Sequence, residues 1–198
     1  MKKLENLEKT INSELTNKIN NSKIKHNQIY LNIDENHIHN VVMFLKTNSN
    51  TKFRQLIDIT AVDYPENIQR FKLVYLLLSH ENNSRILIDF NIKENEIVTS
   101  LTSIFPSANW MEREVFDMYG ISFKNHPDLR RILTDYNFKG FPLRKDFPLT
   151  GFNEVRYSEK DKSVIYEPVK LEQNYRDFDF SSPWEGTNYM KDIKNKKD

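Results

Sequence analysis

The feature that most constrains the fold is the spacing of the apolar residues, which is regular only up to Tyr119. Before that point apolar residues recur every three to four positions, as on one face of an amphipathic helix, or at every second position, as in a half-buried strand. From His126 to Gly151 neither period persists, and Pro, Gly and charged residues are dense. The sequence therefore predicts a folded domain followed by segments without a core of their own.

The regular part begins as helix–strand–helix and continues with three strands. Helical spacing covers Leu4 to Ile19 and Ile38 to Leu45, and Asp34 is the expected N-cap of the second helix. Strand patterns fall at 29–33, 53–62, 71–78 and 86–92, and turn residues at 63–67 and 80–84 separate the last three. This order predicts an α+β fold, a two-layer domain with helices on one face of a mainly antiparallel sheet.

A third, short helix is predicted over 108–119. Ser107 is its expected N-cap, and Gly120 is placed to end it in the left-handed conformation. Glu112 and Glu114 lie in its early turns, where the helix dipole favours negative charge.

The last part of the chain is predicted to be an extended tail that embraces a partner. Apolar residues alternate only weakly there, at Val155, Tyr157, Val164, Tyr166 and Val169, before Phe178, Phe180 and Trp184. Large aromatic residues on a segment without a core normally bury against another surface. We therefore divide the chain into an α+β domain (1–106), a helix and charged loop region (107–151) and an extended C-terminal tail (152–198).

Composition excludes several kinds of protein. The chain has no cysteine, which excludes disulfides, thiolate zinc sites, a cysteine nucleophile and cysteine-held iron–sulfur clusters. A net charge of +1 provides no field to attract nucleic acid or anionic lipid. The longest apolar run, 73–78, is far shorter than the roughly 20 residues that span a bilayer. We expect no transmembrane span in the chain and no nucleic acid among its partners.

The strongest catalytic candidates are the acids Glu112, Glu114 and Asp117. An acid–base pair needs two carboxyl groups whose pKa values differ. On a helix, however, Glu114 and Asp117 are neighbours while Glu112 faces elsewhere. Dipole interactions and ion pairs with Arg113 and nearby bases are therefore the better interpretation. A hydrolase built on the three acids remains an alternative, which predicts activity of the isolated chain with a bell-shaped pH profile.

The other motifs predict structure rather than chemistry. His37 and His39 diverge by roughly 200° on a helix, so they form no metal site. His126 precedes a proline in a charged loop, where structural hydrogen bonds are expected. The four glycines match neither a dinucleotide-binding fingerprint nor a phosphate-binding loop. The basic pairs at 130–131 and 144–145 alternate with acids, which favours salt bridges over phosphate contacts. We predict no catalytic, cofactor-binding or metal-binding residues.

The most specific pattern starts at the third helix. The sequence Glu-Arg-Glu-Val-Phe-Asp-Met-Tyr-Gly spans 112–120, and His-Pro-Asp-Leu-Arg-Arg-Ile-Leu spans 126–133. This pattern closely resembles the signature of the 30-kDa subunit (the C subunit in bacteria) of respiratory complex I, the proton-pumping NADH:ubiquinone oxidoreductase. The resemblance covers about residues 29 to 187 and is tightest after Ala108. The signature residues are Glu112, Arg113, Glu114, Asp117, Gly120, His126, Arg130 and Arg131.

The resemblance implies a scaffold. In this family the subunit holds no flavin, iron–sulfur cluster or quinone, and FMN and the clusters are expected in partner subunits. It lies in the quinone module of the hydrophilic arm beside the 49-kDa subunit, which its C-terminal segment embraces, and so supports electron transfer from NADH to ubiquinone. The expected partner interface comprises Arg144, Lys145, Asp146, Arg156, Phe178, Phe180 and Trp184.

Two positions depart from the family pattern. Asn137 stands where glycine is usual, and because asparagine tolerates positive φ the turn should survive. Phe141 replaces the usual histidine, which predicts a more apolar environment there.

Two further questions stay open at this level. The equivalent scaffold subunit of a membrane-bound hydrogenase-type complex would differ in its partners, which this chain does not reveal. The abundance of Lys, Asn and Ile (20, 23 and 18 residues) follows A/T-rich codons, which are common in organellar and some reduced bacterial genomes. We expect an organelle-encoded protein on the matrix side of the mitochondrial inner membrane, with the cytoplasmic face of a bacterial inner membrane as the alternative.

Overall fold

The computed structural model describes residues 2–171 and 173. The chain divides into two compact units, Met1–Gly151 and Phe152–Asp198. The predicted boundary at residue 106 stays a prediction.

The first unit alternates helices with a sheet. Its elements in chain order are α1 (Lys2–Glu14), β1 (Ile19–Lys25), β2 (Gln28–Ile33), a 3-10 turn (Glu35–His37), α2 (Ile38–Thr47), β3 (Gln55–Asp63), β4 (Phe71–Ser79), β5 (Ser84–Ile92), β6 (Ile97–Thr99), α3 (Ala108–Tyr119) and β7 (Ser122–Lys124). The second unit contains β8 (Asn153–Ser158) and β9 (Ser163–Pro168).

The main sheet has five strands in the order β1-β2-β5-β4-β3. Neighbouring strands run antiparallel except β2 and β5, which run parallel with Ile29 opposite Ile86. The prediction of a mainly antiparallel sheet is therefore confirmed. A separate short parallel pair joins β6 to β7.

The core lies between the helices and one face of this sheet. Every second residue of β4 is fully buried, from Phe71 to Ser79, because alternate side chains of a strand point to the same face. The apolar residues of α1 and α2 pack on that face in one continuous cluster, as their helical spacing predicts. The members from the two helices are Leu4, Leu7, Ile11, Leu15, Ile38, Val41, Val42 and Leu45.

The N-terminal helix is shorter than its spacing predicts. It ends at Glu14, and Ile19 instead opens β1, an edge strand that the sequence analysis did not predict. Five of the seven residues of β1 are polar, and they give it no apolar alternation. His26 and Asn27 connect β1 to β2, and both have positive φ, as in a tight hairpin. Asn27, a residue that tolerates positive φ, is the sequence signal that could have revealed β1.

The helix caps also differ from expectation. A 3-10 turn precedes α2, so His37 rather than Asp34 occupies the N-cap position of that helix. The Asp34 carboxylate accepts a hydrogen bond from the Asn20 side chain at 2.8 Å instead. Ser107 does precede α3, but its hydroxyl makes no capping hydrogen bond.

The second unit corrects the expectation that the tail has no structure of its own. Strands β8 and β9 form an antiparallel hairpin in which Val155 lies opposite Tyr166 and Tyr157 lies opposite Val164. The weak alternation was therefore a strand signal. Phe178, Phe180 and Trp184 lie outside the described residues. Within the described part of the chain, no helix is both long and apolar enough to cross a membrane.

Candidate functional site at the third helix

Helix α3 ends where the sequence predicts, at Gly120. This glycine has φ of +79° and ψ of +21°, the left-handed conformation that glycine adopts without strain. A β-carbon at this position would lie 2.6 Å from Phe141 Cζ and 2.7 Å from Arg144 Nη2. The helix end therefore requires glycine both for its backbone angles and for the close approach of the following loop.

The loop after α3 supplies donors to the last turn of the helix. The Leu143 amide donates to the Met118 carbonyl at 3.1 Å, and Arg144 Nε donates to the Tyr119 carbonyl at 2.6 Å. These carbonyls have no partner inside the helix, and a cation is favourable at this end of the helix dipole. Arg144 also lies over the Phe141 ring, 4.4 Å from its centroid. The phenylalanine that replaces the usual family histidine thus packs against an arginine.

Asp117 binds the loop that follows α3. Its Oδ2 accepts hydrogen bonds from the amides of Ile132, Leu133 and Thr134 at 3.0, 2.7 and 2.8 Å. Its Oδ1 accepts from Thr134 Oγ1 at 2.5 Å and from Arg131 Nη1 at 2.7 Å. Burial alone would raise the pKa of Asp117, but these hydrogen bonds outweigh burial and hold its pKa well below the usual range. Asp117 is therefore an ionised, structural carboxylate.

Two arginines of the signature complete the attachment of this loop. Arg113 donates to the carbonyls of Arg130 and Arg131 at 3.1 and 3.2 Å. Arg131 reaches the Gly140 carbonyl and lies over the Phe141 ring. Arg130 forms a salt bridge with Asp128 at 2.9 Å, so the predicted salt bridges of this loop are present. The predicted ion pairing of the helix acids with nearby bases is confirmed for Asp117 and Arg131, whereas Arg113 itself binds carbonyls.

A second charge network joins the later part of the loop to the sheet. The buried carboxylate of Asp63 accepts from Arg70 Nε at 2.7 Å and from the Lys145 amide at 2.8 Å. The hydrogen bond from Arg70 holds the pKa of Asp63 below its usual value. Arg70 also pairs with Asp146 at 2.9 Å. Asp63 was missed at the sequence level, although its place in the buried alternation of β3 marks it as an inward-facing acid.

The residues expected at a partner interface divide into two groups. Arg144 is mostly buried and pairs with Glu94 at 2.5 Å, while the Asp146 carboxylate binds Arg70. The Lys145 side chain is exposed. Arg156 lies on the hairpin and pairs with Glu167 at 2.6 Å. Within residues 2–171 and 173, the arginines of this set are thus used in contacts inside the chain.

The other acids of α3 lie in different environments. Glu114 is exposed, whereas Glu112 is fully buried and its Oε1 accepts the Leu101 amide at 2.7 Å. Burial raises the pKa of Glu112 to about 7. His126 makes the structural hydrogen bonds that its position predicts: Nδ1 accepts the Asp128 amide at 3.1 Å, and Nε2 lies 3.1 Å from the Asn109 carbonyl. Across the described residues, no group of three or more His, Asp or Glu side chains could hold a metal ion.

The signature at 112–120 and 126–133 thus forms helix α3 and the loop bound to it. Comparison with known proteins identifies the family to which this signature belongs. Residues 31–153 match the family described as the respiratory-chain NADH dehydrogenase, 30 Kd subunit. The chain belongs to the 30-kDa subunit family of respiratory complex I. The prediction made from the signature is therefore confirmed.

Similar members of the 30-kDa family come from bacteria. The C subunit of the NADH-quinone oxidoreductase of Dinoroseobacter shibae is 59% identical over 169 residues, which cover 85% of this chain and 79% of that protein. The corresponding protein of Ruegeria pomeroyi is 60% identical over 149 residues, or 75% of this chain and 74% of that protein. The Mesorhizobium japonicum protein of the same name is 46% identical over 187 residues, or 94% and 93% of the two chains.

A solved structure shares the fold of this 30-kDa family member. A chain in the structure of the membrane-bound sulfane sulfur reductase, an archaeal respiratory membrane complex, superposes with a TM-score of 0.65 at 24% identity. The match covers 74% of this chain and 86% of that chain. At this identity the likeness shows the fold alone.

Proposed function

We propose that this chain is a non-catalytic scaffold subunit of a proton-pumping NADH:quinone oxidoreductase. It lies in the quinone module of the hydrophilic arm beside the 49-kDa subunit and supports electron transfer from NADH to ubiquinone. FMN and the iron–sulfur clusters are held by partner subunits. Because the similar proteins named above are bacterial, we place the complex at the cytoplasmic face of a bacterial inner membrane. The mitochondrial placement expected from composition gains no support from them.

The observation that supports this proposal is that the signature residues bind the loop that follows α3. The buried carboxylate of Asp117 and the guanidinium of Arg113 are both bound to the backbone of the 130–134 segment. A catalytic acid or base must instead be within reach of a reacting group. Because the side chains of the signature hold a loop in place, they indicate a protein that presents a rigid surface to a partner.

The hairpin offers a specific docking surface. One face of β8–β9 carries four large side chains that are 55 to 63% exposed: Val155, Tyr157, Val164 and Tyr166. The opposite face is mostly polar: it carries the Arg156–Glu167 ion pair, with Ile165 as its one large apolar residue. A two-stranded hairpin is marginally stable in water by itself and gains stability when its apolar face is covered. We propose that this face packs against the 49-kDa subunit.

The test is assembly of the complex in membranes. Val164→Asp places a charge on the apolar face. It should reduce copurification of the 49-kDa subunit and membrane NADH:quinone reductase activity at least tenfold, because losing an interface anchor costs about 2 kcal/mol or more. The matched control is Glu154→Gln on the polar face, which should assemble normally. Normal assembly of Val164→Asp would refute the docking surface.

The same purification tests the function itself. Copurification of the wild-type chain with a large NADH-oxidising assembly is the expected result. Copurification with a hydrogen-evolving assembly that lacks NADH oxidation would overturn the proposal in favour of the hydrogenase-type scaffold.

A further inference from the structure

The outer face of the main sheet, which points away from the core, is apolar at its centre. In an antiparallel sheet with one face on the core, the other face normally carries polar residues. Strand β4 instead has Val74, Leu76 and Leu78 at outward positions, all of them partly exposed. Strand β5 adds Leu87, which lies opposite Leu76. These four side chains form an apolar strip, and their presence explains why the longest apolar run of the sequence, 73–78, shows no alternation.

Three cations border the apolar strip. Lys23 on β1 lies opposite Tyr30, and Tyr30 lies opposite Leu87, so these side chains share one row across the outer face. Lys25 lies two residues further along β1, and Arg85 lies two residues before Leu87 on β5, so both point to the same face. All three cations are exposed, and none of them forms a salt bridge within residues 2–171 and 173.

The acids of the outer face do not neutralise the three cations. Asp89 is already bound, by Lys72 Nζ at 2.5 Å and by Asn32 Nδ2 at 2.7 Å. Asp58 lies on β3, two strands from Arg85 and farther still from β1. At about 4.8 Å per strand, even Arg85 is roughly 10 Å away from it, which exceeds the screening length of about 8 Å at physiological salt. The outer face therefore has unpaired positive charge beside its apolar strip.

A groove at Lys23 has the size and the donors to receive a carboxylate. Its volume is about 200 Å³, and Lys23, Tyr30 and Asn32 are among the residues that line it. The Lys23 ammonium and the Tyr30 hydroxyl form no hydrogen bond within the described part of the chain. Both groups are donors that a carboxylate accepts, and hydrogen bonds between ionised partners are the strong ones. The groove therefore offers two unused donors to an acidic side chain.

We propose that the outer face is a second docking surface, which accepts an acidic amphipathic segment of a partner subunit. The segment packs apolar side chains on the apolar strip and places Asp or Glu carboxylates against the three cations, one of them in the groove at Lys23. A membrane is a poorer match, because side chains that bind a bilayer surface protrude from a helix, whereas those of the strip are partly buried in the sheet. This inference rests on the proposed function only in requiring a multisubunit complex.

Carbodiimide coupling of the assembled complex tests this contact, because it joins an amine directly to a neighbouring carboxylate. The complex is first isolated from membranes and its NADH:quinone reductase activity is measured, which tests the proposed function separately. Mass spectrometry should then find amide links from Lys23 or Lys25 to Asp or Glu side chains of another subunit. Lys9, exposed on α1 at the core side of the sheet, gives the background level of coupling. Links at that background level, or links only within this chain, would overturn the docking surface and leave the proposed function intact.

Charge reversal supplies a second readout. Lys23→Glu combined with Lys25→Glu should lower the amount of this chain retained in the complex about tenfold, because like charges that face each other across an interface repel. Lys3→Glu combined with Lys9→Glu on α1 is the matched control and should be retained like the wild type. All four lysines are exposed, so both variants should keep the wild-type urea midpoint. Equal retention of the two variants would contradict the proposal. Binding of the free wild-type chain to phosphatidylglycerol vesicles, abolished by the β1 variant, would assign the face to a membrane and also overturn it.

Discussion

Replacement of Asp117 by asparagine should release the loop at 131–134 from α3. The change keeps the size of the side chain but removes its charge and exchanges one acceptor oxygen for an NH₂ group. In one amide orientation the NH₂ group faces the amides of Ile132, Leu133 and Thr134. In the other it faces Arg131 Nη1, which can only donate, and the Thr134 hydroxyl, which can turn to accept. Either orientation therefore places the NH₂ group against at least one group that can only donate.

The magnitude follows from the number of hydrogen bonds that the substitution breaks. A hydrogen bond to a charged group contributes about 1.5–3 kcal/mol. At least one such bond fails in either orientation, and the others lose their charged acceptor. Asp117 has no exposed area and its partner Arg131 is mostly buried, so the loss is not screened by water. We expect Asp117→Asn to lower the free energy of unfolding by about 3–5 kcal/mol, the range measured when one member of a buried ion pair is removed.

Two measurements on the purified full-length chain test this. Urea denaturation followed by circular dichroism should show the lower stability, and trypsin should cleave faster after Arg130 and Arg131, because loop opening exposes both bonds. Glu114→Gln, an exposed carboxylate of the same helix, is the control and should match the wild type in both assays. A loss of stability below about 1 kcal/mol, with unchanged cleavage, would refute the assignment of Asp117 as the anchor of the loop.

The stabilisation that Asp117 provides should decrease as the pH falls. Because the pKa of Asp117 is lowered in the folded state, the unfolded chain takes up this proton first as the pH falls below its ordinary value of 3.8. The stabilisation by the ionised carboxylate is complete above that value and declines as the pH falls through the folded pKa. The difference in the free energy of unfolding between the wild type and Asp117→Asn should therefore stay constant near neutral pH and become smaller below about pH 4.

Other perturbations follow from the same contacts. Gly120→Ala should cost more than the roughly 1 kcal/mol of a left-handed alanine, because its β-carbon meets Phe141 and Arg144. In a Phe141→Ala background only the Arg144 contact remains, so the added cost should fall. Equal costs in both backgrounds would show that the Phe141 ring is not the obstacle. Arg70→Met should destabilise the chain by about 3–5 kcal/mol in urea denaturation, since it leaves the buried Asp63 carboxylate unpaired. Arg156→Gln, which breaks an exposed pair, should leave the urea midpoint unchanged, and a large loss there would show that the hairpin depends on that pair.

The sequence predicted best those helices and strands that have one apolar face and one polar face. The strands β2 and β5 and the helix α2 place apolar residues at one period with mostly polar residues between them, and burial follows that pattern. Strand β4 was predictable from its continuous apolar run instead. Gly120 was predictable because few other residues accept the left-handed conformation at a helix end.

The elements that escaped prediction lack this contrast. Edge strand β1 has mostly polar residues and pairs on one side only, so its backbone hydrogen bonds rather than its side chains define it. The hairpin keeps its apolar side chains exposed in this chain. Its alternation therefore predicted a surface in need of a partner without predicting the strands.

The sequence by itself determined the family, the α+β fold and the place of the signature on a helix and its loop, because residue identity and spacing carry that information. It could not assign the chemical states of the acids on that helix. Glu112 and Asp117 are both buried carboxyl groups of α3, yet burial without a cation raises the pKa of Glu112 and five hydrogen-bond donors lower that of Asp117. Those donors come from the 131–134 segment, which follows the helix in the chain, so only the tertiary structure decides which carboxyl group anchors the loop.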